Sequence, residues 1–576
     1  MKKRSISSSP SASPEKRRGG AAYKTKARGL AILNAPAMNK GTAFSADERR
    51  SLDLTGLLPP EITTLAMQVK RAYLQYDRLA DRVTKNIYLT ALHDRNEVLF
   101  YRLFSEHLRE MIPIVNDLTV GRAMEQYHHE SRRPRGIYLS INHIDSMAES
   151  FANFCAGPGD VDLILATDAE NILGIGDWGI GGIEISIGKL AIYTAAGGVD
   201  PTRAIPVMLD VGTNRQELLD DPLYVGNRHP RIHGKQYDDF IDAYVTTVRR
   251  LFPNAVLQWE DFAPGNGRRI LSNYREQFCT FNDDMQGTGA ITLAATISAI
   301  RICGTPLRKQ RVVVFGAGTA GVGVADQLCQ SMIRDGLTRA EAVSQFWLVD
   351  RQGLLTEEMS GDLPDFQSPY ARPTAETRRW KRDDAGVGLA EVIHRVRPTI
   401  LIGASAASGS FTEPMIREMA AHTERPIIIL LSMPASSAEA SPSELLAWTD
   451  GRVLMATGSA TQPETYKGAT YVIAQTNNAL LYPGLVLGAI LSRARFMTDG
   501  MFAAAASAVS SLVTVRQTGA SLLPQIEDLR AVSVTVAAAV ADAAQGEGVA
   551  GAQFEDVASY VQDAMWQPEY RRIQAT

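Results

Sequence analysis

A predicted strand runs directly into a glycine-rich loop in the stretch Arg311-Val312-Val313-Val314-Phe315-Gly316-Ala317-Gly318-Thr319-Ala320-Gly321. The loop has the spacing Gly-x-Gly-x-x-Gly, and a helical pattern follows it to about Arg334. Glycines so spaced allow a tight turn and a close backbone approach to a pyrophosphate, which the N-terminus of the following helix attracts. The stretch predicts a Rossmann-type nucleotide-binding domain, with cofactor contacts at Gly316, Gly318, Thr319, Ala320 and Gly321.

The next predicted strand supports the same interpretation, because it ends in an acid. Residues 346–349 are apolar and Asp350 follows them, 29 residues after Gly321, where about 20 is usual. A longer intervening helix and loop accounts for the difference. Asp350 would accept hydrogen bonds from the adenosine ribose hydroxyls, which favours NAD. The adjacent Arg351 is compatible with the 2′-phosphate of NADP, so that alternative stays open.

Other short apolar runs predict further buried strands, both in the nucleotide-binding domain and in a second α/β domain before it. They occupy residues 163–166, 205–209 and 255–259 before the glycine loop, and 399–402 and 427–431 after it. Continuous apolar runs are typical of strands buried on both faces of a parallel sheet. The predicted fold is therefore α/β: a Rossmann-type NAD-binding domain plus an α/β substrate domain, with a helical N-terminal region and a helical C-terminus.

Changes in composition divide the chain into five predicted parts. Residues 1–28 hold nine Lys and Arg and a single acid, Glu15, interrupted by Ser and Pro, which predicts a disordered tail. The predicted parts are a disordered basic tail (1–29), a helical N-terminal region (30–135), a catalytic α/β domain (136–285), an NAD-binding domain (286–476) and a helical C-terminal segment (477–576). We expect the last segment to pack back on the substrate domain.

The overall composition excludes some functions. With 576 residues, 45% hydrophobic and 21% charged, the chain is long enough for several globular domains. A net charge of −4 offers no attraction for nucleic acid, and no apolar run is long enough to predict a membrane span. The four cysteines are dispersed without a Cys-x-x-Cys pair, which indicates a reducing cytoplasm.

Two acidic clusters precede the glycine loop by about thirty residues or more. Glu260-Asp261 follows a predicted strand, and Asn282-Asp283-Asp284 comes shortly after it. In parallel α/β sheets, ligands bind beyond the carboxyl ends of the strands. Carboxylates there suit a hard divalent cation, Mg²⁺ or Mn²⁺, which prefers oxygen ligands. A metal beside a nicotinamide indicates redox chemistry on an alcohol whose oxygen the metal holds.

Lys189 is a less obvious candidate. A lysine after a glycine in an apolar segment is usually a surface residue whose stem packs on apolar neighbours. If it were buried near a metal, its pKa would fall and it could act as a base.

These residues together resemble the malic enzyme family from about Leu30 to the C-terminus. The resemblance rests on the two acidic clusters and on further segments such as Asn39–Phe44, His93–Glu97, Leu209–Asn214 and Asn477-Asn478. Members of the family use NAD(P) and Mg²⁺ or Mn²⁺ to oxidise a 2-hydroxy dicarboxylate, which then loses CO₂. The resemblance implies NAD as the cofactor, metal ligands at Glu260, Asp261 and Asp284, and support from Asp283. It also implies Lys189 as the general base and substrate contacts from Asn477 and Asn478.

Three positions depart from the family pattern. Asn116 stands where the family usually has the tyrosine that protonates the enol, Asn171 where it has a substrate-binding arginine, and Met433 where it has an asparagine. Asn116 cannot act as an acid, and the lost arginine weakens carboxylate recognition. Asp117 could replace the missing acid if burial raised its pKa. These changes predict either malate or a bulkier or less anionic 2-hydroxy acid as the substrate.

The leading prediction is a metal- and NAD-dependent oxidative decarboxylase acting on malate or a malate-like acid. One alternative is a regulatory homologue that binds NAD and metal with little turnover. Others are a malolactic-type conversion and a 2-hydroxy acid dehydrogenase that releases no CO₂. Large α/β enzymes commonly form symmetric oligomers, so a homodimer or homotetramer is expected.

Overall fold

The structure, a computed structural model, describes most of the chain. The described residues are 22–116, 121, 124, 127–130, 133–154, 157, 159–172, 175–359, 361–382, 386–514 and 517–576. Asp117, the candidate replacement acid, and Cys155 lie outside the described residues.

Helices and short strands alternate along most of the described chain. The α-helices are α1 (Leu30–Leu33), α2 (Ala46–Ser51), α3 (Leu65–Asp77), α4 (Arg82–Arg95), α5 (Glu97–Glu106), α6 (Leu108–Val115), α7 (Met147–Phe154), α8 (Ile183–Gly197), α9 (Gln216–Asp220), α10 (Lys235–Leu251), α11 (Pro264–Tyr274), α12 (Thr288–Cys303), α13 (Thr319–Arg334), α14 (Arg339–Val343), α15 (Thr374–Thr377), α16 (Leu389–Val396), α17 (Glu413–His422), α18 (Pro442–Trp448), α19 (Tyr482–Ser492), α20 (Asp499–Ser511), α21 (Leu529–Gly546) and α22 (Val557–Ala564). The strands are β1 (Tyr23–Thr25), β2 (Ile137–Ser140), β3 (Leu163–Thr167), β4 (Ala204–Asp210), β5 (Val256–Glu260), β6 (Thr280–Asn282), β7 (Val312–Phe315), β8 (Phe346–Asp350), β9 (Gly353–Leu354), β10 (Ile400–Gly403), β11 (Ile427–Leu430), β12 (Leu454–Thr457), β13 (Glu464–Tyr466), β14 (Ala469–Tyr471), β15 (Ala474–Gln475) and β16 (Ile573–Ala575).

The first large sheet has five parallel strands in the order β2-β4-β3-β5-β6. Its strands are almost wholly buried, as continuous apolar runs predict for a sheet covered on both faces. Because the strands are parallel, their carboxyl ends share one edge. Glu260 ends β5 and Asn282 ends β6, so both acidic clusters lie at that edge.

The second sheet has seven strands in the order β15-β12-β11-β10-β7-β8-β9, and only β9 is antiparallel to its neighbour. In chain order this is the 3-2-1-4-5-6 arrangement of a Rossmann fold with one strand added. The order reverses between β7 and β10, which is where a nucleotide binds in such sheets. The predicted Rossmann-type domain is confirmed.

The end of the chain returns to the first half of the molecule. Helices α19 and α21 both pack against α8, which lies beside the five-stranded sheet. One apolar core joins residues as distant as Val69 and Trp566. The five-part division of the chain remains a prediction, and limited proteolysis of the full-length protein tests it.

The structure differs from the predicted disordered tail at residues 22–29. Strand β1 pairs in parallel with β16 near the C-terminus, with Tyr23 opposite Ile573. Backbone pairing with a distant segment is not visible in local composition, which explains the difference. Among the described helices, none combines the length and the apolar content that crossing a membrane requires.

Candidate active site

Three carboxylates converge at the edge of the five-stranded sheet. Glu260 is the last residue of β5, Asp261 follows it, and Asp284 lies in the single π-helical turn Asp283–Gly287 after β6. One carboxylate oxygen from each of Glu260, Asp261 and Asp284 lies within 4.8 Å of the others. An all-oxygen donor set of this size suits Mg²⁺ or Mn²⁺, so these residues could hold the implied cation.

Local backbone geometry brings these carboxylates together. Asp261 has a φ of 57°, a left-handed conformation that is uncommon for a residue other than glycine. Its backbone N–H donates to Asp284 Oδ2 over 3.0 Å, which joins the two clusters directly. The Asn282 side chain accepts from the backbone N–H of Met285 and thereby fixes the start of the π-helical turn. Strained backbone and π-helical turns both occur preferentially at functional sites.

Burial raises the pKa values of carboxyl groups in the acidic cluster. Glu260 is 1% exposed, and burial raises its pKa well above the usual value, with Lys189 opposing the rise and neighbouring carboxylates adding to it. Burial likewise raises the pKa of Asp284 to about 6. Several buried acids so close together are costly without cations among them.

Lys189 is the cation that the structure places among these acids. Its Nζ pairs with both Glu260 Oε1 and Asp283 Oδ2. Burial acts to lower its pKa, but the two carboxylates outweigh that effect and hold the pKa well above the usual lysine value. The depressed pKa expected for a buried lysine near a metal is therefore not seen here, because the anionic neighbours stabilise the ammonium form.

The C-terminal part of the chain contributes to the same site. Asn478 Nδ2 donates to Asp283 Oδ1 over 3.0 Å, and the Tyr482 hydroxyl donates to the backbone carbonyl of Asp283 over 3.0 Å. Asn477 caps the turn that follows it, since its side chain accepts from the N–H of Ala479. The structure therefore brings Lys189, Asp283 and Asn478 together across nearly 300 residues of sequence.

A single cleft of about 660 Å³ connects this acidic edge to the Rossmann-type sheet. Its lining includes Lys189 and Asp283 from the first half and Ala320 and Ala404 from the nucleotide half. The predicted substrate contacts Asn477 and Asn478 line the same cleft, as do Asn116 and Met433. A hydroxy acid and a nicotinamide can therefore share one cleft, as hydride transfer requires.

The glycine loop adjoins the nucleotide side of the cleft, which its residue Ala320 lines. Gly316 has a φ of 101° and lies so close to the Ala404 backbone that a side chain would collide with it. A side chain at Gly321 would collide with the carbonyl oxygen of Gly316. Helix α13 begins at Thr319, so its free N–H groups face the loop region where a pyrophosphate binds.

Asp350 is held at the end of β8 by a residue that the sequence did not single out. Gln367 is buried, and its Nε2 donates to the Ala317 carbonyl over 2.7 Å and to Asp350 Oδ2 over 3.3 Å. The backbone N–H of the exposed Arg351 donates to Asp350 Oδ1 over 3.0 Å. Gln367 thus connects the glycine loop to the predicted ribose acceptor.

The three departures from the family pattern all lie at or near the cleft. Asn116 packs against Gly188, and a Cβ added to Gly188 would lie 3.1 Å from the Asn116 Oδ1 atom. Gly188 directly precedes Lys189 in the chain, so Asn116 lies beside the helix that carries Lys189. The backbone N–H of Asn171 donates to the Asp261 carbonyl over 2.9 Å. Met433 is 50% exposed on the cleft wall.

Two buried polar residues beside the acids were also missed from the sequence. Gln258 donates from Nε2 to Glu260 Oε2 over 3.1 Å, and the Tyr193 hydroxyl donates to Gln258 Oε1 over 3.1 Å. Signals for both were present. Gln258 lies two residues before Glu260 on one strand face, and Tyr193 lies four residues after Lys189 on one helix face.

The fold and the cleft define an α/β protein with a Rossmann-type nucleotide-binding sheet facing a second parallel sheet. Two family profiles match the chain: "Malic enzyme, N-terminal domain" over residues 93–275 and "Malic enzyme, NAD binding domain" over residues 285–545. A "NAD-dependent malic enzyme 3" from Bacillus subtilis is 54% identical over 96% of this chain and 98% of its own length. A "NAD-dependent malic enzyme" from Sodalis glossinidius is 46% identical over 95% and 97%. The chain belongs to the malic enzyme family, so the resemblance seen in the sequence is confirmed.

Solved structures agree with this assignment at the level of the fold. The Entamoeba histolytica malic enzyme superposes with a TM-score of 0.55 at 20% identity, covering 91% of this chain and 92% of its own. The malic enzyme from Pyrococcus horikoshii Ot3 gives a TM-score of 0.53 at 24% identity, covering 74% and 85%.

Proposed function

We propose that this protein is an NAD-dependent malic enzyme, which converts malate and NAD⁺ to pyruvate, CO₂ and NADH with a divalent cation. The observation that carries the proposal is one cleft lined by Lys189 and Asp283, beside the carboxylate cluster, and by Ala320 of the glycine loop. The names of the relatives support NAD and malate, since those at 46% and 54% identity are NAD-dependent malic enzymes.

The cation site in this proposal consists of Glu260, Asp261 and Asp284, with Asp283 beside it. A bound Mg²⁺ or Mn²⁺ supplies Lewis-acid polarisation of the substrate oxygen. Bound NAD⁺ supplies the acceptor for the hydride from C2. Its pyrophosphate would be held by Gly316, Gly318, Thr319, Ala320 and Gly321. Asp350 would accept hydrogen bonds from its ribose, beside the exposed Arg351.

Lys189 is the proton carrier of the reaction. It lies at the acidic cluster and lines the cleft, so a hydroxyl held there is within its reach. A divalent cation at Glu260 would compete with the Lys189 ammonium for that carboxylate and so favour the neutral amine. The neutral amine would then take the hydroxyl proton of the substrate as the C2 hydride leaves. Asn477 and Asn478 contact the substrate carboxylate, and Asn478 also anchors Asp283.

The last step requires a proton at C3 after CO₂ has left. Asn116 cannot donate one as an acid, although it lies beside the Lys189 helix. Lys189 still carries the proton taken from the hydroxyl, and its return to C3 balances the reaction. Asp117 is the other candidate acid. Unchanged turnover and an unchanged pH profile in Asp117→Asn would leave Lys189 as the donor.

The test is a coupled assay on the purified full-length protein. NADH and CO₂ are followed together with NAD⁺, Mn²⁺ and either malate or a panel of substituted 2-hydroxy acids. We expect equal amounts of NADH and CO₂ with malate. NADH without CO₂ would indicate a simple dehydrogenase. NAD⁺ binding without turnover of any acid would indicate the regulatory alternative, and lactate formation without net NADH a malolactic conversion.

The assembly and the location of the protein form part of the same proposal. A homodimer or homotetramer is supported by exposed apolar side chains in the N-terminal region, among them Ile62, Met67 and Leu74. Light scattering on the eluted protein measures the mass directly. A cytoplasmic location is supported by the free thiols of Cys279, Cys303 and Cys329, and cell fractionation tests it.

A further inference from the structure

A buried amide lies directly behind the acidic cluster. Gln258 and Glu260 are on the same face of β5, because successive side chains of a strand point to opposite sides. Gln258 is 0% exposed, and its Nε2 donates to Glu260 Oε2 over 3.1 Å. A wholly buried amide is costly unless its donors and acceptor find partners, so this contact stabilises both residues.

The orientation of that amide is fixed from its other end. The Tyr193 hydroxyl donates to Gln258 Oε1 over 3.1 Å, and Tyr193 is 2% exposed. With its oxygen already accepting from Tyr193, the amide presents its NH₂ group to Glu260. A reversed amide would place its oxygen against a carboxylate oxygen and would leave the hydroxyl facing the NH₂ group.

Both oxygens of Glu260 therefore have defined partners. Oε2 accepts from Gln258, and Oε1 pairs with Lys189. Tyr193 and Lys189 are four residues apart on α8, so one helix face supplies a direct contact to the carboxylate and an indirect one through the amide. Without the amide, only the Lys189 contact of these two would remain to restrict rotation of the carboxylate about its terminal bond.

We propose that Gln258 is a positioning residue that, fixed by Tyr193, holds the Glu260 carboxylate in the orientation that a divalent cation requires. This rests on the cation-dependent function proposed above. Groups that hydrogen-bond to metal ligands orient those ligands, and their removal typically lowers metal affinity about 10- to 100-fold.

The test measures cation binding without turnover. Free Mn²⁺ is followed by electron paramagnetic resonance while the full-length protein is titrated, and NAD⁺ binding is measured separately by calorimetry. Gln258→Met keeps the length and volume of the side chain but cannot hydrogen-bond. We expect its Kd for Mn²⁺ to rise about 10- to 100-fold, with the Kd for NAD⁺ within twofold of wild type. Tyr193→Phe should raise the Mn²⁺ Kd by a smaller factor.

Tyr244→Phe is the matched control. Tyr244 is also fully buried and contacts the neighbouring strand residue Trp259, with ring centroids 5.9 Å apart. Within the described residues its hydroxyl has no hydrogen-bond partner. Removing that hydroxyl should leave the Mn²⁺ Kd unchanged. If the Kd rose here as well, any lost tyrosine hydroxyl near β5 would weaken Mn²⁺ binding, and the effect would not be specific to Gln258.

The double variant separates positioning from a general loss of packing. If Tyr193 acts through Gln258, adding Tyr193→Phe to Gln258→Met changes the Mn²⁺ Kd no further, whereas independent packing effects would multiply. An unchanged Mn²⁺ Kd in Gln258→Met overturns the proposal. If Gln258→Met does not fold, an unchanged Kd in Tyr193→Phe does so. Wild-type protein that binds no Mn²⁺ would instead contradict the proposed function itself.

Discussion

The two parallel sheets build their ligand-binding edges from different materials. At the seven-stranded sheet the edge is backbone and small residues, with Gly316 against Ala404 and helix α13 starting at Thr319. At the five-stranded sheet the edge is buried charge, with Lys189 among carboxylates. The nucleotide edge depends on the lack of side chains at its glycines, which leaves room for the backbone to approach closely. The acidic edge depends on opposite charges that compensate one another, so each charged residue requires its partners.

The largest expected effect is at the acidic edge. Lys189→Met should lower kcat about 10²- to 10⁴-fold, because the proton carrier is lost, while the Kd for NAD⁺ stays within twofold. Steady-state kinetics and calorimetry measure the two quantities. A kcat within tenfold of wild type would mean that another group moves the proton. Equal loss of NAD⁺ binding would show that the two edges are not independent.

At the nucleotide edge, a steric collision alone should weaken NAD⁺ binding. Gly321→Val adds a side chain that collides with the Gly316 carbonyl, so we expect the Kd for NAD⁺ to rise more than tenfold. Mn²⁺ binding should be retained. Gly546→Ala is the matched glycine variant, because a Cβ there also meets no atom within 4 Å and the residue lies outside the glycine loop, so its Kd for NAD⁺ should not change. Similar losses in both variants would contradict the steric explanation.

A substitution at Gln367 tests whether side-chain hydrogen bonds contribute to NAD⁺ binding at the nucleotide edge. Gln367→Leu removes the contacts to the Ala317 carbonyl and to Asp350. Hydrogen bonds of this kind contribute about 0.5–1.5 kcal/mol, so the KM for NAD⁺ should rise about 3- to 10-fold. The KM for malate, measured at saturating NAD⁺, should not change. An unchanged KM for NAD⁺ would show that the backbone alone sets this edge.

The smallest expected effect on activity is at a residue outside both edges, where the change concerns the stability of the fold. Glu97 borders a cavity of about 10 Å³ near the C-terminal segment, and burial raises its pKa to about 7. Between its unfolded pKa near 4.5 and about 7, the folded state binds more protons than the unfolded state, so stability falls as the pH rises. Glu97→Gln should therefore raise the free energy of unfolding relative to wild type by up to about 3 kcal/mol at pH 8, and by much less at pH 5, as denaturant titrations at the two pH values would measure. An equal difference at both pH values would contradict this assignment.

The same contrast explains what the sequence could predict. The glycine loop, its strand and Asp350 could be predicted from local spacing, because consecutive residues determine the local backbone geometry. Each carboxylate cluster could also be predicted, since its members are neighbours in the sequence. The partners of the charges were not: Asn478 reaches Asp283 across 195 residues, and Gln367 reaches Ala317 across 50. The raised pKa of Lys189 likewise depends on how many acids surround it, which only the folded chain determines.

The return of α19 and α21 onto α8 has a consequence for how the protein is made. Helix α8 leaves the ribosome more than three hundred residues before α21. At about 5–20 residues per second, its apolar surface waits on the order of half a minute for the helices that cover it. We therefore expect nascent chains to depend on chaperones until the final helices emerge.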